Sequence, residues 1–183
     1  YNDGTYAEFD GFWPYLNHEV TAFNSGSTPD ERALYFTTGS TMRMEGVWAV
    51  ADTDGTVDLV LYDSANNVLD TVSLDPDQRV ISSPGYFVLP WPAGPHTLTS
   101  GSVYRISYKP TSVTNCTISV CQFNSSALRA SIPGGSTWQL STRTNAGAWT
   151  EDTTRRPMIG LIINGVDGNL SAISGGGSFA FVG

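Results

Sequence analysis

Short β-rich runs alternate along the chain with clusters of Gly, Pro, Asn, Asp and Ser, the pattern of a sandwich or barrel. Ala33 to Thr38 is the first clear run. Thr41 to Ala51 follows, and simple alternation assigns Met42, Met44, Trp48 and Val50 to one face and Arg43 and Glu45 to the other. Val57 to Tyr62 and Val68 to Leu74 flank the loop DSANN with apolar side chains on alternate positions, which predicts an antiparallel hairpin. Val80 to Leu89 is interrupted by SSPG, so it reads as two short strands or as one strand broken at Pro84.

Val103 to Lys109 alternates cleanly, with Tyr104, Ile106 and Tyr108 on a dry face and Arg105, Ser107 and Lys109 on a wet one. Cys116 to Phe123 is a β-branched run. Met158 to Ile163 is almost continuously apolar, which predicts a central strand covered on both faces. Phe179 and Phe181 close the chain in a short strand after a GGG connector. One helix start is written at Thr28-Pro29-Asp30-Glu31, with Thr28 as N-cap and Glu31 as its capping-box partner, and it supports one or two turns. About nine strands and at most one short helix predict an all-β, two-sheet antiparallel sandwich of jelly-roll type.

A chain of 183 residues is the size of one domain. Residues 1–32 read as an N-terminal arm or loop segment, 33–165 as the core sandwich and 166–183 as a Gly-rich tail with a terminal strand. A first residue of Tyr and the lack of an apolar leader predict a processed or excised piece.

Charge narrows the classes of partner. Nine Lys+Arg against 17 Asp+Glu give a net charge of −8, which argues against nucleic acid, whose binding rests on cationic neutralisation of phosphates. Anionic membrane is disfavoured for the same reason, and the longest apolar run is far short of the roughly 20 residues that insertion needs. Cys116 and Cys121, in one extended strand, would stand roughly 16 Å apart, too far for a mutual disulfide.

The chemistry of common active sites is missing. His18 and His96 lie in no metal-binding or triad spacing, and neither G-x-S-x-G nor a phosphate loop is present, so no catalytic residue and no cofactor is assigned. Glu8, Glu19, Glu31, Glu45 and Glu151 leave a two-carboxylate glycosidase or lyase open. Asp52 and Asp54 in DTDG resemble the opening of a calcium loop that lacks its downstream Glu, and a plain turn explains them equally. The basic pair Arg155-Arg156 is expected to meet Glu151 or Asp152.

Aromatic residues in polar, loop-like sequence supply the candidate binding site. Trp91 sits in LPWPAGPH, and Trp138 and Trp149 flank QLSTRTNAGA. A tryptophan face can stack on a sugar ring while Gln139, Arg143 and Asn145 hold hydroxyls; packing as a satellite core is the competing reading. Phe12, Trp13 and Tyr15 near one end, and Phe179 and Phe181 near the other, could add to a neighbouring chain and are the candidate assembly residues.

The run GVWAVADTDGTVDLVLYDSANNVLDTVSLD, then LTSGSVYRISYKP, then GGSTWQLSTRTNAGAWTEDTTRRPMIGLIING, resembles uncharacterised β-rich modules of phage structural and tail-fibre proteins and of bacterial surface proteins. Those modules are similar in pattern to carbohydrate-binding sandwich domains. The resemblance spans residues 46 to 165 and implies a non-catalytic, extracellular or virion-surface role. Three functions are therefore expected in order: a structural or decoration sandwich that assembles with itself or a larger protein, a carbohydrate-binding module or adhesin, and a small glycosidase or lyase.

Overall fold

The computed structural model describes residues 17–24, 30–53, 56–74, 81–82, 85–111, 115–122 and 138–167. They form β1 (Asn17–Asn24), β2 (Glu31–Thr37), β3 (Thr41–Thr53), β4 (Val57–Tyr62), β5 (Val68–Leu74), β6 (Ile81–Ser82), β7 (Gly85–Pro90), β8 (His96–Leu98), β9 (Val103–Pro110), β10 (Asn115–Gln122), β11 (Gln139–Arg143), β12 (Thr150–Asp152), β13 (Arg155–Pro157) and β14 (Ile159–Asp167). No helix occurs among the described residues. Phe12, Trp13, Tyr15, Asp54, Phe179 and Phe181 lie outside them.

The architecture is a two-sheet antiparallel β-sandwich. One sheet of six strands runs β12-β11-β2-β9-β4-β5; the other, of eight, runs β1-β10-β3-β7-β6, with β13 on β10 and both β14 and β8 on β3. The chain changes sheet repeatedly: β2 lies in the first, β3 in the second, β4 and β5 in the first, β7 in the second and β9 in the first. These crossovers are the winding expected of a jelly roll.

The apolar faces meet between the sheets. Leu34 and Phe36 of β2, Leu59 and Leu61 of β4, and Ile106 and Tyr108 of β9 oppose Met44, Val47 and Ala49 of β3, Phe87 and Leu89 of β7, Leu98 of β8 and Ile159 of β14. All are buried. Phe36 is fully enclosed, with the rings of Trp138 and Tyr104 at 5.5 and 5.9 Å. Each buried Val, Leu, Ile, Phe or Met among them contributes about 1.5–3 kcal/mol by leaving water.

Simple alternation fails in β3. Met44 pairs with Ile163 and Gly46 with Ile162, so Glu45 is the extra residue of a bulge between two consecutive pairs of the β14 ladder. One extra residue reverses which side chains point inward. Met44, Val47 and Ala49 therefore enter the core, while Trp48, expected beside Met44, goes to the outer face with its indole against Gly160. A Cβ on Gly160 would lie 2.2 Å from Trp48 Nε1, so glycine is what allows the ring to lie there.

Three other expectations change. Glu31, expected in a first helical turn, begins β2 instead, where its alternation with Ala33 and Tyr35 and its ties across the sheet decide the conformation. The apolar run Met158 to Ile163, expected to be a central strand, leads into β14, which pairs with β3 alone among the described residues, and Ile163 is 42% exposed, so the run is neither central nor covered on both faces along its length. Residues 17–24, assigned to an arm, pair with β10. The run broken at Pro84 resolves into β6 and β7, while β8, β11, β12 and β13 are short or polar segments that carry no clear alternation.

A polar clamp joins the sheets at one edge. Asp70 of β5 accepts hydrogen bonds from Thr71 N at 2.8 Å and Ala93 N at 3.1 Å, and contacts His96 Nε2 of β8 at 2.7 Å. Burial pushes the Asp70 carboxyl up, but His96 and the two amides outweigh it and hold the group below the ordinary aspartate value. A depressed carboxyl contributes stability that is complete above the unfolded value and lost as pH falls through the folded one. Urea midpoints measured from neutral pH downward should therefore fall less steeply in Asp70→Asn than in the native chain below the ordinary carboxylate range. Identical acid limbs would contradict the clamp.

Candidate functional site

Polar and aromatic side chains converge on the outer face of the six-stranded sheet. Cross-strand register sets Glu31 opposite Arg143, Tyr35 opposite both Gln139 and Arg105, Ala33 opposite both Ser141 and Ser107, Arg105 opposite Tyr62, and Ser141 opposite Glu151. All of these point away from the core by alternation along their strands. Five adjacent strands thus contribute to one cluster.

Glu31 is its buried centre, with no exposed surface. Its Oε2 accepts from Ser107 Oγ at 2.6 Å and Tyr62 OH at 3.1 Å. Its Oε1 accepts from Arg143 Nε at 2.9 Å and also from Arg143 Nη2, a two-pronged charge-assisted contact. Burial first, and then the Glu31 charge, push the Tyr62 phenol far above its ordinary value, so it stays protonated and donates.

The second half of the cluster centres on Arg105. Its Nη2 donates to Glu151 Oε1 at 2.7 Å, its Nη1 to Asn66 Oδ1 at 3.2 Å and its Nε to Ser141 Oγ at 3.3 Å. The guanidinium also lies 4.9 Å from the Tyr35 ring and 5.2 Å from the Trp149 ring. Arg143 lies 4.4 Å from the same Trp149 ring and 5.4 Å from that of Tyr62. Trp149 thus joins the two halves through cation–π contacts.

Two turns place these groups. Asp63 Oδ1 accepts the amides of Ala65 and Asn67, and Asn66 takes the left-handed conformation at φ 64°, which presents its side chain to Arg105. Hydrogen bonds from Asn67 hold the exposed Asp63 carboxyl below its ordinary value. Between β11 and β12, Asn145 and Ala146 are both left-handed and Gly147 N bonds Thr144 O at 2.9 Å, the form of a type I′ turn. Asp30 Oδ1 accepts Asn145 N at 2.9 Å and anchors this turn to the start of β2.

The sequence-predicted residues are distributed unequally. Trp149 and Arg143 belong to the cluster, Gln139 is half-buried beside it, and Asn145 contributes its backbone amide while the residue stays exposed. Trp138 packs on Phe36, and Trp91 is 3% exposed in the core, edge-on to His96. The three tryptophans do not share one surface. Arg155 reaches Asp152 at 3.5 Å, as expected, whereas Glu151 is taken by Arg105. No group of three or more metal-binding side chains occurs among the described residues. In the sequence Glu31 and Glu151 stood only as two of five candidate carboxylates, and Arg105 and Ser107 only as one face of Val103 to Lys109; nothing joined them with Tyr35 and Tyr62, and that face, expected to be wet, is buried at Arg105 and Ser107.

What the cluster can do chemically follows from its pairing. Glu31 and Glu151 are the two carboxylates within this cluster, and each is bound to a guanidinium. A general acid or base needs a proton that it can exchange with a substrate, and here both oxygens of Glu31 and Oε1 of Glu151 face fixed donors. No family model, no curated protein and no solved structure matches this chain.

Proposed function

We propose that this chain is a non-enzymatic structural sandwich of a virion or cell surface, assembling with copies of itself or with a larger structural protein. The observation that carries this reading is the closed pairing of the polar cluster: Glu31, Tyr62, Ser107 and Arg143 bind one another, as do Arg105, Ser141 and Glu151. Such a network stiffens a sheet and leaves little for turnover. The packing surface is the outer face of the eight-stranded sheet, where Trp48 stands opposite Val88, which is 43% exposed, and exposed Pro90 follows on the same face. Apolar side chains left in water mark contact surfaces. Glycan binding has less support, because the Trp149 ring is already engaged by two guanidiniums and Trp91 is enclosed.

Light scattering on natively isolated protein tests the reading. The expected result is a defined particle several times the 19.6 kDa chain mass, reduced in size by Val88→Glu without loss of fold. A monomer unchanged by that substitution would overturn it.

A further inference from the structure

The outer edge of β5 is a place where strands from other molecules should be able to add. β5 ends the six-stranded sheet, Val68 and Leu69 are 57% and 39% exposed, and Thr71 and Ser73 are exposed as well. Its seven residues include neither Lys nor Pro, the usual guards of an edge. The occupant such an edge invites is β5 of a second copy, because a twofold pair joins an edge to itself and every copy carries it.

Two features oppose that pairing. Leu61 pairs with Asp70 and Tyr62 with Val68, so Leu69 is a bulge residue that breaks the regular edge. The second is Asp70. Its Oδ1 accepts the Thr71 amide at 2.8 Å. Thr111 N bonds Thr56 O, so by antiparallel alternation the backbone groups of Val60 face β9, and the amide of Thr71, which stands opposite Val60, is turned to the free edge, where an incoming strand would offer its carbonyl. The carboxylate is itself fixed, because its Oδ2 is held by Ala93 N and His96 Nε2 from the opposite sheet.

We infer that Asp70 is an edge-blocking residue: clamped by Ala93 and His96, it occupies the outward Thr71 amide and prevents a second copy from adding its β5 to this sheet. Its negative charge works in the same direction, since antiparallel pairing brings two such carboxylates to one short edge. The inference does not depend on the proposed function, for it holds in a monomer and in an assembly built through other faces.

Sedimentation velocity on D70A, D70N, T71P and the D70A/T71P double substitution, each compared with the native chain over a tenfold concentration range, tests it. D70A should form a species of at least twice the native mass that grows with concentration. D70N keeps an acceptor oxygen for Thr71 and should keep the native mass. T71P removes the donor, so the double substitution should return to the native mass, because an edge position tolerates proline where its amide faces outward. T71P alone removes only the Thr71 contact of Asp70 and leaves those of Ala93 and His96, so its urea midpoint should stay above that of D70A, which loses all three. A D70A chain of native mass, association that persists in the double substitution, association of D70N equal to that of D70A, or a T71P midpoint as low as that of D70A would each overturn the inference.

Discussion

Glu31→Ala should destabilise the protein by about 4 kcal/mol, the cost of leaving a buried ion without its partner. For a chain of this length the melting temperature should fall by about 10 °C. Glu31 has no exposed surface and the Arg143 side chain is only 13% exposed, so water cannot replace the lost carboxylate. Tyr62 and Ser107 lose their acceptor in the same step. Replacing both charges, as Glu31→Leu with Arg143→Met, should cost less than Glu31→Ala alone, since no uncompensated ion remains. Glu151→Ala supplies the contrast. Its side chain is 32% exposed, and solvent screening should hold the loss of its Arg105 contact to about 1 kcal/mol. Urea denaturation of the four chains checks the series; equal losses for Glu31→Ala and Glu151→Ala would remove Glu31 as the centre of the cluster.

Gly46→Val should cost about 3 kcal/mol through overpacking. A Cβ at this position would stand 2.5 Å from the Leu89 carbonyl oxygen and 3.2 Å from Ile162 Cδ1. The first neighbour is backbone, so relief requires β7 to move away from β3. Gly39→Ala is the control, because nothing lies within 4 Å of the added carbon. It should be neutral or stabilising by about 0.5 kcal/mol through the unfolded chain. Thermal melts separate the two, and a tolerated Gly46→Val would show that the β3–β7 contact is looser than described.

Much of the fold was legible because one face of most strands is dry. Tyr104, Ile106 and Tyr108 alternate with Arg105, Ser107 and Lys109, and the structure places the first set inward. The hairpin DSANN was legible from its turn residues, which Asp63 and Asn66 bear out through the bonds they make. Bulges were not legible. The insertions at Glu45 and Leu69 reverse the facing of the residues beyond them, and nothing local to either residue announces it. The hairpin of β11 and β12 was hidden for another reason: its outward side chains are polar because they face a buried network, so burial and hydrophobicity part company there. Trp149 and Arg143 stood out as an aromatic and a cation in one polar stretch. Their partner Glu31 did not, because it lies far away in sequence behind a proline that looked like a helix start.

That separation has a consequence for how the molecule is made. Glu31 and Arg143 are 112 residues apart, and Ser107 stands 76 from Glu31. At roughly 5–20 residues per second, Arg143 leaves the ribosome on the order of ten seconds after Glu31. Until then β2 lacks both its β11 neighbour and the cation that makes burial of its carboxylate tolerable. A nascent chain must therefore hold β2 in water while most of the sandwich is being synthesised, and sheet closure is a late event. Contacts of such long sequence separation fold slowly, so the interval in which unpaired edges meet other chains is longest for this protein at birth.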